Sequence, residues 1–579
     1  MERSRKMDAA SPAAACRPLI RIALVFLLFS TLLLPSVQGQ AAPDSRLSHI
    51  KQLVKEQRWQ EAVALAESTP ARTPDLDFYY GTALARLDRW DDAHRAFQAG
   101  YYLSPRDERF PVELAGVEFR QKRYAAAAAH LRLALKLVPD DSYANDFLAS
   151  VYLLEGNQEA ALLHWNRENK PHIAEITAKP VPEVDPALLD RAFAFAPAST
   201  LLLPQLLTSE KRVQGLDIFS AYRFDLSARP DGAFDMLFYN KERNGWGNGK
   251  LGVLVQLFHD LPSEAVTPEY FNFHGQAINF SSSFRWDAQK RRILAGVSAP
   301  LRGNPKWRYR LGTDLRNENW NVLTSFAGAA QGLGSFNLRR EAASAEVTSF
   351  ASGRWSWTLG AELSHRDFRS VVPGPALNAS LLSEGMQLKQ RAQLNADLWR
   401  LPEKRMDFNA IVSSEAGRIW SQPAHAFLKL RGALLFHWFP LAQGDDYEMQ
   451  QEIRAGKTFG DVPIDELFVF GQLGDNDLWM RGHSTTRDGR KGSGPMGTEY
   501  FLSNWELDKQ IFQKAGATFK LGPFVDSGTI ADESAALGSH KWLCDVGVQA
   551  KLRVFGVSVA LIFGKDLRSG HHLLTTAAE

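Results

Sequence analysis

The feature that most limits what this chain can become is the alternation in "WLCDVGVQAKLRV", Trp542 to Val554. Trp542, Cys544, Val546, Val548, Ala550, Leu552 and Val554 share one face of an extended strand. Leu543, Asp545, Gly547, Gln549, Lys551 and Arg553 share the other, a period of two that a helix cannot use. A dry sandwich core does not accept Lys and Arg on its inner face, whereas a hydrated barrel lumen with an apolar outside does. "GATFKLGPFVDSG" behaves likewise, with Ala517, Phe519, Leu521, Pro523 and Val525 opposite Thr518, Lys520, Gly522, Phe524 and Asp526. "RYRLGTDLRNENWNV" and "RWSWTLGAELSHRDF" carry the same spacing with more noise. Twelve of the 15 tryptophans follow Gly215, as expected of rings placed at two membrane interfaces. Residues 215–579 are therefore expected to form a transmembrane antiparallel β-barrel of about 16 strands, each span being roughly ten residues long.

The start of the chain agrees with export. Basic residues precede an apolar run from Ile22 to Leu34, and "PSVQG" then leads to a cut near Gly39, so residues 1–39 read as a signal peptide. The run is shorter than the roughly 20 apolar residues a spanning helix needs. Cys16 lies before the run, where a lipoprotein cysteine would follow it. Cys544 alone then remains, so no intramolecular disulfide is expected. The best later candidate for a membrane helix, "AFAFAPASTLLLPQLL", is broken by Pro197 and Pro204. The formal net charge of +2 offers nothing to a nucleic acid.

Residues 45–172 follow another period. Pro105 and Pro139 stand 34 apart, Ala93, Ala127 and Ala161 recur with that step, and Phe97, Leu131 and Trp165 follow one helical turn later. Gly81, Ala115 and Ala149 occupy the small position of each preceding helix. This resembles tetratricopeptide repeats, three clear units after a degenerate one, "IKQLVKEQRWQEAVALAES". Such an α-solenoid offers a concave surface to an extended peptide or a partner domain. Residues 173–214 are proline-rich and lose all period, which reads as a linker with a short helix around Leu188 to Phe195.

"FVDSGT", Phe524 to Thr529, has the look of an aspartic-protease loop. Such an enzyme needs two aspartates sharing a proton, and only one Asp-Thr/Ser-Gly is present, on a strand committed to alternation. A carboxylate at membrane depth calls for a partner. Arg481, Gly482 and His483 open a long glycine-rich loop nearby in sequence. The Arg-Gly loop, the strand carrying Asn504 and Glu506, and then Phe524, Asp526 and Gly528 as F-x-D-x-G resemble the BamA and TamA superfamily, with its two-partner-secretion transporters and bacterial surface antigens. "DVGVQAKLRVFGVSVALIFGKDLRSG" shares that superfamily's cadence.

The resemblance implies that the loop folds into the lumen and that Arg481-Gly482 dock on Phe524, Asp526 and Gly528. Three departures stand out. His483 replaces the usual Phe or Tyr, the family's POTRA modules are not legible in a linker this short, and the chain ends "HHLLTTAAE" without a terminal aromatic. The resemblance further implies an outer-membrane protein of a Gram-negative bacterium with its repeats in the periplasm. Its partners would be client outer-membrane or secreted proteins, a periplasmic partner on the repeats, and outer-membrane lipid. A seam between a first strand near "GLDIFSAYRFDL" and a short last strand would template or pass the client. An exopolysaccharide exporter also joins such repeats to a barrel, and a surface receptor is a further alternative. No Gly-x-Ser-x-Gly, His-Glu-x-x-His or metal-spaced cluster is present and His571-His572 reads as a tail feature, so neither an enzyme, a cofactor nor a metal is expected.

Overall fold

In the computed structural model, the described residues are 43–578 apart from 248–263, 324–331, 375–376, 378, 443, 473–475, 515–516, 533–536, 538 and 555–556. The expected signal peptide lies outside them. Among the described residues no helix is long and apolar enough to cross a membrane.

Eight helices build the N-terminal part as four hairpins. They are α1 (Pro43–Lys55), α2 (Trp59–Glu67), α3 (Pro74–Arg86), α4 (Trp90–Leu103), α5 (Arg109–Arg120), α6 (Tyr124–Leu137), α7 (Ser142–Leu154) and α8 (Gln158–Trp165). Each hairpin turns through a left-handed residue, in order Gln57, Asp88, Lys122 and Gly156. Ala93, Phe97, Ala115, Ala127, Leu131, Ala149, Ala161 and Trp165 are all buried where the helices meet. At Gly81 a Cβ would stand 2.6 Å from the Phe97 ring, so only glycine lets α3 and α4 approach this closely. Pro105 and Pro139 stand in the turns between hairpins. This is a tetratricopeptide-repeat stack of four units.

The expected linker is instead part of a folded α/β unit, residues 172–242. It comprises β1 (His172–Lys179), α9 (Pro186–Ala192), β2 (Ser199–Thr200), α10 (Leu203–Leu216), β3 (Phe219–Ala228) and β4 (Phe234–Glu242). The sheet order is β2-β1-β4-β3, with β1 parallel to β4 and β3 antiparallel to it. One of the prolines that read as a linker is a helix start: Pro186 opens α9, whose cap Asp185 accepts from the Ala187 amide at 2.8 Å. Phe193, Phe195, Phe224 and Phe238 stack in its core, which is continuous with that of the last repeats. "GLDIFSAYRFDL" therefore belongs to this sheet and is not a first barrel strand. The expectation that no POTRA module is present rested on the linker reading and falls with it.

The rest is one long antiparallel ladder. A broken edge strand, β5 (Ala265–Val266) and β6 (Glu269–Phe273), precedes β7 (Ile278–Trp286), β8 (Lys290–Leu301), β9 (Asn304–Leu323), β10 (Gly332–Ser349) and β11 (Trp355–Val372). Next come β12 (Gly385–Leu401), β13 (Met406–Trp420), β14 (His425–Trp438) and β15 (Tyr447–Gly460). A long loop, residues 461–498, holds the two-residue strands β16 (Phe468–Val469), β17 (Thr486–Arg487), β18 (Arg490–Lys491) and β19 (Met496–Gly497). The ladder resumes with β20 (Glu499–Lys514), β21 (Ala517–Ala531), β22 (Ser539–Val554), β23 (Val557–Asp566) and β24 (His572–Ala578). The order is that of a barrel, with β15 paired directly to β20. Among the described residues the ladder has fourteen strands and the broken one, against the expected 16.

The sidedness follows the alternation. Leu315, Leu363, Val412, Leu434, Val548 and Leu561 are exposed on the outside, while Arg366, Gln387, Lys389, Asp508, Asp526 and Asp545 are buried within. Trp286, Trp420 and Trp542 sit at one rim, and Trp307, Trp357, Trp399 and Trp438 at the other. Trp320 and Trp479 depart from that pattern by packing inside.

The helical units sit on the second rim. His164 Nε2 and Glu403 Oε1 are 2.7 Å apart, Asn157 donates to the Pro402 carbonyl at 2.8 Å, and Arg400 pairs with Glu159 at 2.6 Å. The α/β unit adds Asp185 N to Gly275 O at 2.7 Å and Gly353 N to Thr208 Oγ1 at 3.0 Å.

Candidate functional site

The loop 461–498 leaves β15 at the rim far from the helical units and folds back into the lumen. Its own apolar residues make it a packed plug. Phe468, Phe470, Leu478 and Met480 bury themselves against Tyr500, Leu502, Ile530 and Leu543 of the wall. Val462, Ile464, Leu467 and Met496 do the same against Trp320, Phe336, Phe368 and Phe427.

Arg481 is 1 % exposed and Asp526, on β21, is fully buried. The guanidinium grips the carboxylate through two atoms, Nε to Oδ2 at 2.9 Å and Nη2 to Oδ1 at 2.5 Å, while the Arg481 amide donates to Oδ2 at 2.9 Å. Nη1 reaches Glu506 at 2.5 Å and Gln549 at 2.9 Å. The cation lies 3.8 Å from the centre of the Phe524 ring. Asn504 donates to Asp526 Oδ1 at 2.6 Å and to the Trp479 carbonyl at 2.8 Å, so it ties the arginine's partner to the loop backbone. A two-pronged, charge-assisted pair of this kind fixes orientation as well as proximity. Once it is buried, removing either partner strands the other charge.

Gly482 and His483 depart from the expected docking. The Gly482 amide donates to Asp545 Oδ2 of β22 at 2.6 Å, and a Cβ there would stand 2.7 Å from the Asp566 amide. His483 inserts between Asp545 and Asp566, with Nδ1 3.0 Å from Asp545 Oδ2 and Nε2 3.7 Å from Asp566 Oδ2. Gly528 does not receive the loop: its missing Cβ makes room for the Phe501 carbonyl, which would be 2.4 Å away. The wall glycine that admits Arg481 is Gly564, where a Cβ would stand 2.2 Å from the Arg481 carbonyl, while Gly547 clears the Phe524 ring on which the guanidinium lies.

A second anchorage has the opposite polarity. Asp465 and Glu466, in a short turn of the loop, enter a cationic wall made by β10, β11, β12 and β14. Glu466 Oε1 lies 2.8 Å from Lys389, 3.2 Å from Arg340 and 3.5 Å from Arg366, and Oε2 lies 3.7 Å from Lys429. Asp465 lies 3.4 Å from Arg366. Further along, Lys491 pairs with Glu318 of β9 at 3.0 Å. The loop thus offers a cation to one wall, an anion to a second and a cation to a third. The sequence carried a signal for Asp545, which stands on the polar face of its strand. None was legible for Glu466, whose partners come from four separate strands.

No family model and no curated protein matches the chain. Among solved structures, BamA from Haemophilus ducreyi lacking POTRA domains 1–3 is 11% identical, covering 70% of this chain and 84% of that one at a TM-score of 0.41. CdiB from Escherichia coli is 12% identical, covering 70% and 75% at a TM-score of 0.45. YrrB, a tetratricopeptide-repeat protein with an unusual peptide-binding site, is 18% identical over 22% of this chain and 66% of its own, at a TM-score of 0.21.

Proposed function

We propose that the chain is an outer-membrane barrel of a Gram-negative bacterium, its repeats in the periplasm, that assists insertion or translocation of client proteins. The observation that carries this reading is the lumenal loop held by Arg481 on Asp526. A lumen filled by a packed, ion-paired plug does not serve as a standing pore for a hydrated polymer, which counts against polysaccharide export. The outward apolar face and the rims of tryptophan support a lipid setting.

Two further observations support client handling. The last strand, β24, pairs with β23 over a short stretch, from Val559–Ala578 to Lys565–His572, whereas β9 and β10 pair from Gly332–Leu323 to Ser349–Trp307. The strand order sets β24 beside β5, which is only two residues long, Ala265–Val266. A short last strand beside a short first one can exchange that pairing for a client strand through main-chain hydrogen bonds, which need no particular client sequence. The α/β unit at the mouth is then a POTRA-like module between the repeats and the barrel, and the repeats hold extended client or partner segments.

The test reconstitutes the full chain in lipid vesicles and offers a urea-unfolded outer-membrane barrel protein, scored by heat-modifiable gel mobility. The reading expects faster client insertion with the native chain and loss of that gain in Arg481→Ala, with the Arg481→Ala barrel itself still folded. Unchanged client insertion together with flux of a charged polysaccharide across the vesicle would replace this reading by the exporter.

A further inference from the structure

Where the α/β unit meets the turn that joins β8 to β9 lies a cavity of about 650 Å³. Arg191, with Phe193 and Ala194 just beyond the end of α9, forms one side, and Arg212 of α10 a second. Arg302, from the turn, and Lys306, near the start of β9, form the third. Four of the seven lining residues are cations and none is an acid.

So many like charges around one space repel unless an anion answers them. The fold does not supply it. Arg191 donates to the Gly303 carbonyl at 3.2 Å, and Arg212 Nε to the Phe350 carbonyl at 3.4 Å. A carbonyl accepts the hydrogen bond and leaves the charge standing. Asp185 acts on Arg191 only through space, being held by the Ala187 amide and by Gln276. Among the described residues no carboxylate forms an ion pair with any of the four cations. Arg212 is the telling one. It is only 7 % exposed, and burial alone holds its guanidinium below the usual arginine range, with no acid opposing the shift. Only its Nε is bonded, so both terminal nitrogens remain for a ligand.

The place of the cavity says what that anion is attached to. Lys306 is followed by Trp307, whose ring meets Trp357 edge-on at 5.3 Å on the rim that carries the helical units. Arg302 follows Leu301, an exposed residue at the end of the apolar outer face. The cations therefore begin where the apolar band stops, the level at which headgroups lie beside interfacial tryptophans. Basic pockets at that level take lipid phosphates, and a guanidinium fork matches the phosphate oxygens. Phe193 and Ala194 give the cavity an apolar side, which suits a phosphate joined to acyl chains better than a free hydrated ion.

We propose that this cavity binds the phosphate of an anionic phospholipid from the adjoining leaflet. Arg191 and Arg212 hold it from the α/β unit, and Arg302 and Lys306 from the barrel turn. The inference rests on the chain's placement in a membrane and is independent of client handling.

The full chain in a neutral detergent is titrated with phosphatidylglycerol or phosphatidylcholine, and retained lipid is counted by native mass spectrometry. One phosphatidylglycerol should be held at least about tenfold more tightly than phosphatidylcholine. Each cation near an anionic headgroup is worth about fivefold, so Arg302→Gln with Lys306→Gln should weaken that binding by about tenfold or more. Both residues are exposed, and the barrel should stay heat-modifiable. Arg212→Gln should weaken binding by about fivefold or more. Equal retention of the two lipids, or phosphatidylglycerol binding unchanged in both folded variants, would overturn the proposal. Displacement of the lipid by equimolar inorganic phosphate would overturn the lipid assignment and give the site to the free ion. A chain that enters phosphatidylcholine vesicles as a heat-modifiable barrel yet shows no lipid preference loses this site and keeps its membrane placement. A chain that does not enter loses both.

Discussion

The Arg481 carbonyl lies where a side chain on residue 564 would begin: a Cβ built on Gly564 stands 2.2 Å from it. The close approach seats the loop backbone against β23, and the guanidinium on the same residue then reaches β21. Gly564→Ala should lift this stretch of loop. An overpacking cost of about 1–3 kcal/mol raises the opened population by about five- to 150-fold. Trypsin cutting at Arg487 and Arg490, both exposed, measures it in barrels that remain heat-modifiable.

Arg481→Lys keeps the charge and loses the fork. A lysine cannot bond both oxygens of Asp526 while also reaching Glu506 and Gln549. The carboxylate stays buried and underpaired, and we expect loop release worth about 2–4 kcal/mol. The double variant Arg481→Gln with Asp526→Asn should release the loop less than either single change, because no charge is then stranded. A double-mutant cycle read by trypsin cutting checks both statements.

Glu466→Gln removes the anion from Lys389, Arg340, Arg366 and Lys429 together. Four like charges facing a neutral amide should push the turn away from its wall. Single-barrel conductance in a planar bilayer is expected to rise, and the Arg481 end should stay docked by trypsin cutting. Conductance equal to that of the native chain would mean that Asp465 on Arg366, with the packing of Ile464 and Leu467, is enough to hold this end.

Glu210, on α10, is pushed up to about 7, chiefly by burial, with Glu159 adding to the shift and Arg400 and Lys211 opposing it. The raised value means that the folded state prefers the neutral acid. Its contribution is complete below the unfolded value of about 4.5 and is lost as pH rises through about 7, at most about 3 kcal/mol. Between pH 5 and 8 the helical signal of the native chain should melt at falling temperature, and Glu210→Gln should flatten that trend. Parallel curves for the two proteins would refute it.

The barrel and the Arg481–Asp526 meeting were legible because both depend on local pattern: strict alternation set the lumenal face, and a charge on that face demanded a partner. Depth and neighbourhood were not. Alternation put Asp545 on the lumenal face, but only the strand registers bring it opposite Asp566 and Asp526. Gly528 was read as a docking glycine from its motif, whereas the close approach to the loop occurs at Gly564. The short helix expected around Leu188 to Phe195 is present as Pro186–Ala192, but the unit 172–242 went unread as a domain because that helix and the strand His172–Lys179 are too short to display a period. Its prolines, of which Pro186 and Pro204 stand in the first turns of helices, were mistaken for the absence of structure.

The contacts of Asn157, Glu159 and His164 with residues 400–403 make the helical stack part of the rim. A polypeptide segment lying in the stack's groove is therefore not on a tether that wanders. Its local concentration at the barrel mouth is set by a fixed distance, with no linker length to dilute it. If the stack holds client segments as proposed, capture and delivery become one intramolecular step, and lengthening the chain between the stack and the barrel would not slow that step while the rim contacts hold.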